Sequence, residues 1–109
     1  MNKNINDISP VLKEVKESLQ REYGNRLRGI VVHGSYARGE ASEGSDIDLI
    51  ILLDYINNFD KELDTIFKAL DNIEYRYDIL FSIIPIEEKE YVTRQLPVIL
   101  NARKEGVMV

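Results

Sequence analysis

Ten residues separate Gly34-Ser35 from Asp46-Ile47-Asp48 in the stretch HGSYARGEASEGSDID, which begins at His33. The pair interrupts an apolar run, Leu27 to Val32, that carries Arg28 and Gly29 but closes on Ile30, Val31 and Val32, and so reads as a buried strand. A strand feeding a glycine turn and then a short helix, here Tyr36 to Ala41, turns unpaired amides and a positive helix end toward an anion. Phosphate suits such a place. Asp46 and Asp48 alternate at the start of the next apolar run, Ile47 to Leu53, so as strand residues they point to one face. Two carboxylates that close repel one another unless a cation lies between them. Hard oxygen ligands suit Mg²⁺, which one or two carboxylates hold while substrate phosphates complete its shell.

Gly34-Ser35, ten residues, then Asp46-Ile47-Asp48 resembles the signature of the nucleotidyltransferase superfamily that includes DNA polymerase beta and kanamycin nucleotidyltransferase. The fuller string GSYARGEASEGSDIDL is most similar to the minimal nucleotidyltransferases, small prokaryotic proteins often paired with a helical partner toxin. The resemblance implies that Asp46 and Asp48 bind the divalent ions, two Mg²⁺, that hold a nucleoside triphosphate. It also implies a third carboxylate on the neighbouring strand, facing the first two and helping to deprotonate the attacking hydroxyl. Asp78 is the one acid in the expected third strand and takes that place; its other reading is an edge residue paired with Arg76 or Arg38. Gly34 and Ser35 are expected to bind the β- and γ-phosphates. Arg38 is a cation for the triphosphate or the departing pyrophosphate, or else a solvated helix residue.

The elements that must position these groups follow from apolar spacing. Ser9 as N-cap and Pro10 at the first helical position begin a helix with Leu12, Val15, Leu19 and Tyr23 on one stripe and Gly24 to stop it. Asn57 and Asn58 precede a second long helix whose Phe59, Leu63, Ile66, Phe67, Leu70 and Ile73 share a face. Arg76 to Ile84 alternates as a third strand that Pro85 ends. A short helical or irregular turn follows in EEKEYVTRQ. Pro97 opens a last helix to about Lys104 with Gly106 as its C-cap, and Val107 to Val109 adds an edge strand. The expected fold is α/β (α+β), a nucleotidyltransferase fold with one layer of helices on a small mixed sheet, ordered α-β-α-β-α-β-α.

A chain of 109 residues has room for one domain, and 44% hydrophobic with 30% charged residues is ordinary soluble composition. Cysteine is absent, which excludes disulfides and thiolate metal sites. The net charge of −5 argues against a non-specific nucleic-acid binder and weakens a polymerase reading, while suiting a basic protein partner. The opening MNKNINDISP carries no apolar signal core, so a cytoplasmic, membrane-free protein is expected. His33, the single histidine, reads as a packed strand end. Tyr75 and Tyr77 read as packing residues that could stack on a base, and Glu40 and Glu43 as solvent-facing.

By resemblance, the expected activity is transfer of AMP from ATP to a hydroxyl with release of pyrophosphate. Larger relatives hold the acceptor on an extra domain for which this chain has no room. A HEPN ribonuclease toxin, whose tyrosine would be adenylylated, or a second copy of the chain would supply that surface. Two alternatives stand beside it: an antitoxin that neutralises by complex formation alone, and a small-molecule transferase of the aminoglycoside type.

Overall fold

The spine of the molecule is a strand with no wet face. In the computed structural model, which describes residues 2–109, β2 (Ile47–Leu53) is the chain's most apolar segment, IDLIILL, and its last five residues are all buried. Such an unbroken run suits a central strand covered on both sides. β1 (Leu27–His33) pairs antiparallel with β2, β3 (Phe81–Glu87) pairs parallel with its other edge, and β4 (Val107–Met108) adds to β1. The order β3-β2-β1-β4 makes a four-stranded mixed sheet.

Helices cover both faces of this sheet, not the one expected. α1 (Ser9–Tyr23) and α3 (Phe59–Tyr77) lay Val15, Leu19, Ile66 and Leu70 on Ile47, Leu49, Ile51 and Leu53. On the opposite face α4 (Glu88–Thr93) and α5 (Pro97–Glu105) bring Tyr91, Ile99 and Ala102 onto Val31, Ile50 and Leu52. Each aliphatic side chain so buried contributes about 1.5–3 kcal/mol relative to exposure. No helix among the described residues is long and apolar enough to cross a membrane.

Four local expectations need correction. Ser9 is the first residue of α1 rather than its cap, because a 3-10 turn, Ile5–Ile8, precedes it and is itself capped by Asn4 and Asp7. Phe59 and Phe67 are 49% and 41% exposed, since the buried stripe of α3 runs through Glu62, Ile66, Leu70 and Ile73. Glu62 can lie in that stripe because Arg26 pairs with it and with Asp54. Pro85 does not end the third strand. It sits inside β3, which is tolerable because β3 is an edge strand with one side free of ladder bonds.

The fourth correction concerns Asp78. α3 continues through Tyr77, and Asp78 is its C-cap in left-handed backbone, φ 54°, rather than a residue of the third strand. The N–H groups of Asp78 and Ile79 both donate to the Glu74 carbonyl, and the Glu74 carboxylate accepts the N–H of Phe81. These bonds close the helix and launch β3 three residues past Asp78.

Candidate active site

The inner strands β1 and β2 end and begin, respectively, at the same end of the sheet, where His33 lies opposite Asp48. The chain then turns on Gly34, φ +72°, into α2 (Gly34–Arg38). A β-carbon on Gly34 would fall 2.1 Å from Oδ2 of Asp48, so the carboxylate rests against bare backbone. Only glycine fits both the sign of φ and that contact. Ser35 follows, half-buried in the first helical turn, and no side chain caps the amides of that turn. Gly39, in left-handed conformation, ends α2, and Glu40 N–H donates to the Ser35 carbonyl. A tight turn from Ser42 to Ser45, with Gly44 at φ +86°, then delivers Asp46 to the head of β2.

Asp46 is exposed and Asp48 half-buried. Burial pushes the Asp48 carboxyl above its usual range, His33 and Arg38 pull it back, and the Asp46 charge pushes the same way as burial. Burial likewise holds His33 below the ordinary histidine range, more than the Asp48 charge raises it. Its Nε2 is buried without a hydrogen-bond partner. A partly desolvated carboxylate with a second one beside it stands where a cation would be stabilised. Hard anionic oxygens of this kind fit Mg²⁺ better than a soft metal.

Arg38 is held by two carboxylates, Glu40 at 3.1 Å and Glu105 of α5 at 3.2 Å, and lines a cleft of about 210 Å³ with His33, Gly34 and Asn101. It is thus beside the glycine turn but already paired. Asp78 lines a larger cavity, about 720 Å³, together with Asp46, Ser45, Tyr75, Tyr77 and Leu80. It shares that cavity with Asp46 yet does not complete an ion cage: among the described residues no three of His, Asp and Glu are grouped closely enough to hold one metal. Gly34, Ser35, Asp46 and Asp48 are brought together where β1 and β2 meet, and Asp78, at the C-cap of α3, shares only the cavity lined by Asp46. Sequence reasoning passed over Ser82, which lies opposite Asp48 on β3, and Glu105, which holds Arg38. Neither has a signal until the pairing of distant elements is known.

A mixed sheet thus carries a glycine turn and two carboxylates together where β1 ends and β2 begins. The nucleotidyltransferase domain family matches residues 12–105, and the chain belongs to that family. It is 35% identical over 76 residues to a Methanocaldococcus jannaschii protein named "putative protein adenylyltransferase", covering 70% of this chain and 76% of that one. Its fold is similar to the crystal structure of a "putative nucleotidyltransferase" from Sulfolobus solfataricus, with TM-score 0.66, 20% identity, and 91% and 76% of the two chains covered. It is also similar to a crystal structure of a toxin-antitoxin with AMP-PNP, with TM-score 0.65, 14% identity, and 88% and 69% covered.

Proposed function

We propose that the chain transfers AMP from ATP to a hydroxyl group of a partner protein, releasing pyrophosphate. Its biological setting in this reading is an antitoxin acting on a tyrosine of a HEPN ribonuclease toxin. The observation that supports this reading is the contact of Asp48 with the bare backbone of Gly34, which sets one of the two carboxylates directly against the glycine turn. The names of the archaeal relatives support a protein as acceptor, and the toxin-antitoxin structure with AMP-PNP supports both the nucleotide and the kind of partner.

Asp46 and Asp48 would hold Mg²⁺. The ion, when bound, neutralises charge on the phosphate oxygens as a Lewis acid. Gly34 and Ser35 donate backbone N–H groups to the outer phosphates, and the Ser35 hydroxyl adds a further donor. Arg38 exchanges a carboxylate partner for the leaving pyrophosphate. The acceptor oxygen forms a bond to the α-phosphorus, the bond from that phosphorus to the β-bridging oxygen breaks, and the hydroxyl proton passes to solvent.

The test incubates the protein with ATP, Mg²⁺ and the product of the adjacent gene. The partner should gain the mass of one AMP with the wild-type chain and none with Asp46→Asn. No gain with wild type overturns the reading. A complex-only antitoxin is favoured by one observation, the exposed apolar residues Leu96, Val98 and Leu100 at and before α5. In that case Asp46→Asn would neutralise the toxin as well as wild type does.

A further inference from the structure

Three side chains stand abreast on the sheet face that α4 and α5 cover: His33 of β1, Asp48 of β2 and Ser82 of β3. Packing settles the face. Ile50, Leu52, Ile84 and Ile86 share the parity of Asp48 and Ser82 and lie in the apolar layer against α4 and α5. Ile47, Leu49, Phe81 and Ile83, of opposite parity, point toward α1 and α3. Paired strands run about 4.8 Å apart, so Ser82 is the immediate neighbour of Asp48 on the side away from His33. It is exposed, with nothing of the fold built over it.

We infer that Ser82 forms the third wall of the ion seat made by Asp46 and Asp48, so that this chain holds its divalent cation with two carboxylates and a neutral hydroxyl. The inference rests on the reading of Asp46 and Asp48 as metal ligands. Two observations carry it: the register that sets Ser82 against Asp48, and the placement of Asp78 at the C-cap of α3, outside any group of three ligands. Affinity for a hard cation follows the number of charged ligands. With two anionic side chains the ion is loosely held until a triphosphate adds its own oxygens, so metal and nucleotide arrive as one unit.

Manganese titration of the nucleotide-free protein, read by the loss of the free-ion EPR signal, tests this without any turnover. Ser82→Asp should tighten Mn²⁺ binding about tenfold by adding a charged ligand, while Asp78→Asn should leave it within about twofold. A folded Ser82→Asp protein that binds no more tightly overturns the inference. So does a tenfold loss in Asp78→Asn, which would return the third place to Asp78. Ser82→Cys gives an independent reading, because the chain has no other thiol. Added Cd²⁺ should produce a thiolate charge-transfer band that weakens when Asp46→Asn is added, and a band indifferent to Asp46→Asn counts against Ser82. If Asp46→Asn alone leaves Mn²⁺ binding unchanged, it is the carboxylate pair itself that has failed, and the Ser82 assignment falls with it.

Discussion

The two sides of the candidate site are built in different ways. On the β1–α2–β2 side, Gly34, Ser35, Asp46 and Asp48 lie within fifteen residues of chain, and the antiparallel pairing of His33 with Asp48 brings them together. On the α3–β3 side a helix of 19 residues intervenes before the parallel strand, and the residue facing Asp48 depends on where that helix stops. A shift of one residue there changes which side chain meets the carboxylates, because strand side chains alternate. The first side carries its chemistry in a local motif. The second carries it in a register.

If that division is right, variants on the first side lower transfer by orders of magnitude and variants at Asp78 do not. Asp46→Asn should lower AMP transfer about a thousandfold, the scale on which losing a main electrostatic stabiliser is felt. Its melting temperature should stay within about a degree, since Asp46 is exposed and its removal relieves Asp48 of a like charge. Gly34→Ala comes next. The added β-carbon meets Asp48 at 2.1 Å, and the positive φ costs about 1–2 kcal/mol of stability. Transfer should fall about a hundredfold in a protein that still folds, as a misplacement of about 1 Å can cost that much. A fully active Gly34→Ala protein would break the local account of the first side.

What was legible beforehand follows the same line. β1, β2 and the stripe of α1 could be read because apolar spacing alone decides them, and the glycine turn and Asp46-Ile47-Asp48 are contiguous with those strands. The last turn of α3 could not. Tyr75, Tyr77 and Ile79 alternate with Arg76 and Asp78 as a strand would, while Ile73 and Glu74 continue a helix. What decides is tertiary: Glu14 of α1 takes Arg76 and Tyr77, and Glu74 collects the N–H groups that follow. Pro85 misled for a related reason, since nothing in its neighbours marks β3 as an edge strand. Helices on both faces became visible only with Tyr91, Ile99 and Ala102 packed against β1 and β2.

Asp78→Gly sharpens the comparison from the second side. A left-handed C-cap is the position where glycine replaces any other residue at a gain, so stability should rise by about 0.5–1 kcal/mol in thermal melts. Transfer should stay within about threefold of wild type. A loss near that of Asp46→Asn would make Asp78 a ligand after all and place Ser82 outside the site.

The smallest effect tests what stops α3 where it does. Glu14 accepts hydrogen bonds from the Arg76 guanidinium and the Tyr77 hydroxyl, and these, Arg76 first, hold its carboxyl below the ordinary value of 4.5. A carboxyl lowered in the folded state adds stability above its unfolded pKa and loses it as pH falls through the folded one. Glu14→Gln should therefore melt below wild type from neutral pH down to about 5, with the two converging as pH falls further below 4.5. The group is only half-buried, so the gap should be small and should shrink in high salt. Melting curves that stay parallel into acid would show that Glu14 does not anchor the end of α3. The placement of Asp78, and with it the register that sets Ser82 against Asp48, would then need another cause.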